Sequence, residues 1–173
     1  MGCIMRVCFV GHKTIEKSEE LISSLQQTVQ MLILNGATTF LFGGMSKFDD
    51  LSWEIVTEFK KQYPCVKRVY VRASYQYLDK HYEEYLLRYY EETYFPSKIE
   101  KAGRYRYVER NYDMIDNSTY CIFYYNENYV PASRQASRHD MTLPSRRNSG
   151  TKIAYEYAIK KKKKIINLYK SQK

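Results

Sequence analysis

The sequence is short of glycine, proline and cysteine, and each shortage excludes something. Seven glycines and four prolines in 173 residues are too few for a collagen-like or low-complexity chain. The four cysteines, Cys3, Cys8, Cys65 and Cys121, have no Cys-x-x-Cys spacing and lie in or beside apolar runs. That argues against a zinc site or a disulfide scaffold, so no metal is expected. Buried free thiols in a reducing cytoplasm are the expectation. No apolar run approaches the roughly 20 residues that span a bilayer, and the opening residues read as a first strand rather than a secretory signal. Position 6 is Arg6, not Ser or Thr, so Gly2 is not expected to be myristoylated. Neither Gly-x-Gly-x-x-Gly nor Gly-x-x-x-x-Gly-Lys-Ser/Thr occurs, so neither dinucleotide fingerprint nor P-loop is indicated.

What is present describes a globular chain. Hydrophobic residues make up 44% and charged residues 27%, a balance that excludes disorder throughout. The length suits a single domain over residues 1–173. Lys and Arg outnumber Asp and Glu by 28 to 19, a net charge of +9, which favours anionic partners. Nineteen of the 27 aromatic residues are tyrosines. Tyrosine offers flat contact area with a polar tip, suited to interfaces and to ligand rings, and equally to packing at the edge of a core.

Residues 4–10 are apolar and β-branched and end at Gly11, a buried strand. Ser18 caps a helix whose inner face is Leu21, Leu25, Val29 and Leu32, and Asn35-Gly36 ends it. Residues 37–42 form a second strand, closed by Gly43-Gly44. A second helix starts at Asp49-Asp50, turns Leu51, Ile55 and Phe59 inward, and stops at Tyr63-Pro64. Residues 66–71 are a third strand. Residues 75–94 hold a helical face of Tyr82, Tyr85, Leu86 and Tyr89, and 104–116 another helix. A fourth strand covers 120–125. Residues 127–149 carry no periodicity and form a long loop with Arg134, Arg138, Arg146 and Arg147. A helix at 151–161 and a strand at 165–168 close the chain. Alternating strands and helices predict an α/β fold: a Rossmann-like, doubly wound, mostly parallel sheet flanked by helices.

In such a sheet, ligands bind beyond the carboxyl ends of the strands, where strand order reverses. Gly11, Gly43 and Gly44 follow strands, and Gly150 precedes the last helix. Glycine there lets backbone amides approach a ligand, and the helix start behind it favours a phosphate. Tight turns alone would also explain each of them.

The ordered segments Cys8-Phe-Val-Gly-His12, Gly43-Gly-Met-Ser-Lys-Phe-Asp49, Arg106-Tyr-Val-Glu-Arg-Asn-Tyr-Asp-Met-Ile-Asp-Asn117 and Ser149-Gly-Thr151 resemble the YpsA-like branch of the SLOG superfamily. That superfamily also holds the LOG-type phosphoribohydrolases and the DprA core. The resemblance implies a Rossmann-like pocket for a nucleotide-derived ligand of adenosine or ADP-ribose type, including NAD-derived signals of antiviral defence. It places Gly11 and His12 in the pocket wall, and has Gly43, Gly44 and Met45 offer backbone amides. Asp49 would hold a ribose hydroxyl or base edge. Arg106, Arg110 and Asn111 would face the ligand, and Ser149, Gly150 and Thr151 would hold a phosphate. It also implies a homo-oligomer, with the tyrosines of 75–94 as a contact surface.

One departure bears on chemistry. LOG-type hydrolases carry a Pro-Gly-Gly-x-Gly-Thr-x-x-Glu-like segment whose acid assists N-glycosidic cleavage. Here Asn148-Ser-Gly-Thr-Lys-Ile-Ala-Tyr155 has no acid two or three residues after Thr151, and Glu156 is turned away by helical spacing. Catalysis needs a placed acid or base. The expected function is therefore cytoplasmic binding without turnover or cofactor, as a sensor or sequestering sponge. The alternatives are an N-glycosidase using His12 or Asp49, and DprA-like nucleic-acid binding driven by the net charge.

Several residues carry two readings. His12 is an acid/base or base-stacking group, or a hydrogen-bonded structural histidine. Asp49 is a ligand contact or the cap of the second helix. Local pairing is expected of Arg110, Asp113 and Asp116. The arginines of 127–149 suit a lid over a polyphosphate, an oligomerisation arm or a solvated surface. His81 and His139 read as surface residues. The lysines at 160–164 suit a helix C-terminus better than a nucleic-acid face.

Overall fold

The computed structural model describes residues 5–130 and 149–170. Six strands, β1 Met5–Gly11, β2 Ala37–Phe42, β3 Lys67–Val71, β4 Glu92–Tyr94, β5 Tyr120–Tyr124 and β6 Lys164–Asn167, form one sheet. Its order is β4-β3-β2-β1-β5-β6, with every pairing parallel. The chain walks outward from β1 to β4, then returns to lay β5 on the other side of β1. Strand order therefore reverses between β1 and β5. The doubly wound α/β expectation holds.

Alternation along each strand builds two cores. Val7, Phe9, Phe40 and Phe42 turn to one face, against α1 (Glu19–Leu34) and α2 (Lys47–Gln62). Phe9 stacks on Phe42 with centroids 5.1 Å apart. Cys8, Val10, Leu41, Val69 and Val71 turn to the other face, where α4 (Arg106–Asp116) and α5 (Gly150–Lys160) contribute Met114, Ile115, Ala154 and Ala158. Strands buried on both faces read as continuous apolar runs, which is why β1, β2 and β5 stand out in the sequence.

The start of α2 corrects the sequence reading. Its cap is Ser46, whose Oγ accepts from the Asp49 amide at 3.0 Å. Asp49 is the third helical residue. Its carboxylate accepts from the Ser46 hydroxyl at 3.1 Å, a side-chain bond that ties it back to the cap.

Residues 75–94 also divide. Only α3 (Lys80–Leu87) is helical, and β4 then adds a sheet edge that periodicity does not show. It is held from outside its own sequence. The Glu91 carboxylate accepts from the Arg68 amide at 2.7 Å, from Arg68 Nε at 3.2 Å and from a terminal guanidinium nitrogen at 2.7 Å. Two short 3₁₀ turns, Ser97–Lys101 and Gly103–Tyr105, lead into α4.

Cys8 and Cys121 are buried free thiols, but Cys65 is exposed, against expectation. Cys3 and His139 lie outside the described residues. Arg110 makes no pair with Asp113, which accepts from the Tyr94 hydroxyl at 2.7 Å, while Asp116 accepts from the Tyr157 hydroxyl. The lysine run is partly structural: Lys163 Nζ donates to the Asp116 and Ser118 carbonyls, capping α4. Among the described residues, no helix is long and apolar enough to cross a membrane.

Candidate functional site

Beyond the carboxyl ends of β1 and β2, beside the start of α5, lies a cavity of about 360 Å³. Gly11, His12, Gly43, Met45, Asp49, Arg110, Asn111, Ser149, Gly150 and Thr151 all line it. Ten sequence-predicted site residues, drawn from four separate segments, thus meet at the point where strand order reverses.

Two of the predicted residues do not join them. Gly44 faces a different cleft, beside Tyr70, Tyr82 and Tyr90. Its φ of +66° belongs to the left-handed region, and an added Cβ would come within 2.8 Å of the Tyr70 ring. Arg106 sits one turn above Arg110 on α4. Its side chain is exposed and lies over the Tyr107 ring, outside the cavity lining. Arg134, Arg138, Arg146 and Arg147 lie outside the described residues.

Arg110 is the central cation. It is 5% exposed. One terminal nitrogen donates to the Gly43 carbonyl at 2.6 Å. Nε and the other terminal nitrogen donate to Asn111 Oδ1 at 3.2 and 3.1 Å. A guanidinium has five N–H donors, so two remain beyond these three bonds. Among the described residues no carboxylate forms an ion pair with it; Asp49 is only near enough to oppose the downward shift that burial imposes on its pKa. Gly43 makes this placement possible, since a Cβ there would fall 2.5 Å from the guanidinium carbon.

Asp49 is buried, and burial raises its pKa, opposed by the Arg110 charge and by bonds from Ser46, Gly43 and Met45. The Gly43 amide points at its Oδ1 at 3.4 Å. Asp49 therefore fastens the β2–α2 turn from within.

His12 is 1% exposed. Its Nε2 lies 2.9 Å from the Asn126 amide nitrogen and 3.1 Å from the Asn126 carbonyl oxygen, so either tautomer bonds to that backbone, and the other ring nitrogen is Nδ1. That atom is buried and has no hydrogen-bond partner. Burial pulls the imidazole down from its ordinary 6.5 to about 4, against the opposing bond with the Asn126 backbone, so it is neutral at pH 7. Its ring stacks on Tyr129 at 3.9 Å and 17°. A neutral imidazole donates one hydrogen bond and accepts another, and its lowered pKa makes it a weak base.

Opposite Arg110, Ser149 Oγ accepts from the Lys152 amide at 3.1 Å and caps α5. The Gly150 and Thr151 amides have no partner among the described residues. They are the remaining free donors of the first turn, and a phosphate is their natural complement. Among the described residues, nothing lies within 4 Å of a Cβ added at Gly150.

Sequence reasoning missed Tyr107 and Tyr129, which also line the cavity. Tyr107 is a single aromatic on a helix flank. Tyr129 stands in a stretch without periodicity, and only the pairing of Gly11 with Tyr124 brings that stretch beside His12. Among the described residues, no group of His, Cys, Asp or Glu could hold a metal ion.

Residues 9–164 match the model of the YspA SLOG family, YpsA. A solved structure of DNA processing protein A from Helicobacter pylori, described for its single-stranded DNA binding mode, is similar in fold. It has a TM-score of 0.52 at 16% identity, covering 93% of this chain and 63% of that one. This chain therefore spans less than two thirds of that protein's length. No curated protein matches.

Proposed function

The chain belongs to the YpsA SLOG family, and on that premise we propose that the cavity binds a nucleotide-derived small molecule of adenosine or ADP-ribose type and holds it without turnover. One observation carries the reading. A buried guanidinium that forms no ion pair with a carboxylate among the described residues, and has two donors beyond its three bonds, shares a cavity with the Gly150 and Thr151 amides at the start of α5. A buried charge left without a partner is costly. A phosphate group between the two would satisfy both at once. Tyr107 and Tyr129 supply ring faces for the base.

The site residues are Gly11, His12, Gly43, Met45, Asp49, Arg110, Asn111, Ser149, Gly150 and Thr151. Their roles differ. Arg110, Gly150 and Thr151 contact the anion. Gly43 and Asp49 hold Arg110 and the turn in place. His12 is a buried polar wall that backs the Tyr129 ring. Hydrolysis by an acid or base is disfavoured by the same surroundings: burial makes His12 a weak base, with a pKa of about 4, and Asp49 is occupied by Gly43 and Ser46. The protein then acts as a sensor or a sequestering sponge, built as a single domain that pairs with copies of itself.

Purified protein incubated with ADP-ribose, stripped by heat and analysed by HPLC tests this directly. Intact ADP-ribose recovered from the protein supports binding; free base or ribose phosphate establishes hydrolysis and replaces the reading. Arg110→Ala is expected to weaken calorimetric affinity by about 2 kcal/mol, close to 30-fold, because a charged hydrogen bond is lost. Unchanged affinity removes Arg110 from the site. A second reading, single-stranded nucleic acid along the basic surface, is favoured by the net charge of +9. Its signature is oligonucleotide affinity that falls steeply with salt and ignores Arg110→Ala.

A further inference from the structure

Across the Gly43-Gly44 turn lies a second cleft of about 360 Å³ with an opposite lining. Its walls are rings. Tyr70 stacks on Tyr90 at 5.2 Å and 26°, and Tyr82 runs parallel to Tyr85 at 6.1 Å and 10°. Trp53 meets Tyr89 and Tyr90 at 6.1 and 6.4 Å. The charged groups along it are carboxylates, from Asp49, Asp50 and Glu54, and among the described residues no lysine, arginine or histidine lines it. In a chain of net charge +9, this is a local inversion of sign.

Such a lining is selective. Ring faces carry partial negative charge and attract cations within about 6 Å. Trp53 already shows the preference, with the Arg68 guanidinium 5.3 Å from its ring centre. An anion would meet three carboxylates, with only the exposed ion-pair lysines of Asp50 and Glu54 and the Arg68 guanidinium behind Trp53 as nearby cations. A neutral apolar ring would bury area but draw water away from those carboxylates without compensation. A metal ion has no ligand group to hold it among the described residues. The carboxylate partners already present, Lys47 on Asp50 at 3.3 Å and Lys17 on Glu54 at 3.1 Å, are exposed ion pairs that contribute little and screen poorly. A weakly hydrated cation with a flat face satisfies both the rings and the carboxylates.

We infer that this tyrosine cleft is a binding site for a flat organic cation of the N-alkylpyridinium class. The site does not depend on what the Arg110 cavity binds, although the two share Asp49 as a common wall.

The probe is 1-methylnicotinamide, with nicotinamide as its uncharged counterpart, titrated at constant ionic strength and followed by Trp53 fluorescence, the chain's only tryptophan. Saturable quenching by the cation is expected, about tenfold tighter than by nicotinamide. Tyr85→Leu, at a ring 51% exposed, and Asp50→Asn, at an exposed carboxylate, should each weaken it severalfold with unchanged melting temperature. Arg110→Ala should leave it intact, which separates this site from the neighbouring cavity. Equal affinity for the neutral probe would overturn the inference, as would absent saturation. So would sedimentation showing that wild type self-associates through this face while Tyr85→Leu is monomeric, since the cleft would then be an interface between copies.

Discussion

The cavity of Arg110 and the cleft of the tyrosines flank one turn, Gly43-Gly44, and share Asp49, yet they are built on opposite principles. In the cavity the charge is a buried guanidinium and the donors are backbone amides at a helix start. In the cleft the charge lies on carboxylates at the edge of neutral rings. The difference follows from which part of the chain faces each side. The cavity sits where strands stop and a helix begins, so the backbone itself supplies its polarity. The cleft sits between the flanks of two helices, where backbone amides are spent on intrahelical bonds and only side chains can act. The same turn can therefore divide a site for anions from a site for cations over a few ångströms.

The largest expected effect belongs to His12, which touches the cavity alone. Its folded pKa lies below its unfolded one, so its contribution to stability is complete above pH 6.5 and is lost as the pH falls towards 4. The full span amounts to about 3 kcal/mol. Asp49, raised by burial, works in the other sense, since protonation at low pH favours the fold. Urea denaturation from pH 7 to pH 4 should show a steep loss in wild type and a flatter profile in His12→Gln. Parallel profiles would mean that the imidazole is solvated and the cavity less enclosed.

Next come the two glycines of the shared turn. Gly43→Ala places a Cβ 2.5 Å from the Arg110 guanidinium carbon, so the side chain must swing off the Gly43 carbonyl. Calorimetry with ADP-ribose should show a loss of about 2 kcal/mol, matching Arg110→Ala, while 1-methylnicotinamide binding stays as in wild type. Gly44→Ala should reverse the pattern. A left-handed backbone costs a Cβ-bearing residue about 1 kcal/mol, and the new methyl crowds Tyr70. Stability and cation binding fall together, and ADP-ribose affinity changes less. If either substitution damages both sites equally, the turn transmits strain and the two regions are one site.

Much of this arrangement was legible in the sequence because its demands are local. Gly11, Gly43 and Gly150 mark strand ends and a helix start, and the fold brings such points together. Gly44 was misplaced by one residue's difference: its positive φ turns it to the far side of the turn. Arg106 was misplaced by one helical turn, a distance that spacing alone does not convert into reach. Of the two readings of Asp49, the cap falls, because Ser46 stands three residues before it and takes that role. β4 left no trace, since three residues hold no period. Its position is set by Arg68 and Glu91, 23 residues apart in sequence. That pair also holds Glu91 below the ordinary carboxylate range, with its own burial opposing and the Arg68 bonds prevailing. Glu91→Gln should cost about 2 kcal/mol, by leaving a buried Arg68 charge without its partner, and thermal melts at pH 7 would show it. An unchanged melting temperature would mean that the edge strand is held by its ladder alone.

Gly150→Ala has the smallest expected effect and divides the possibilities most finely. The residue opens α5, its φ is not in the left-handed region, and among the described residues nothing stands within 4 Å of the methyl it would gain. Alanine is a better helix former than glycine, so stability should rise by a few tenths of a kcal/mol. The methyl projects in front of the Gly150 and Thr151 amides. If a phosphate settles on the start of α5, the variant must bind ADP-ribose and inorganic phosphate more weakly than wild type while melting slightly later. If affinity and stability rise together, the anion rests on Arg110 alone, and the helix start is an ordinary solvated terminus. The cation cleft, on the far side of Gly44, should register neither change.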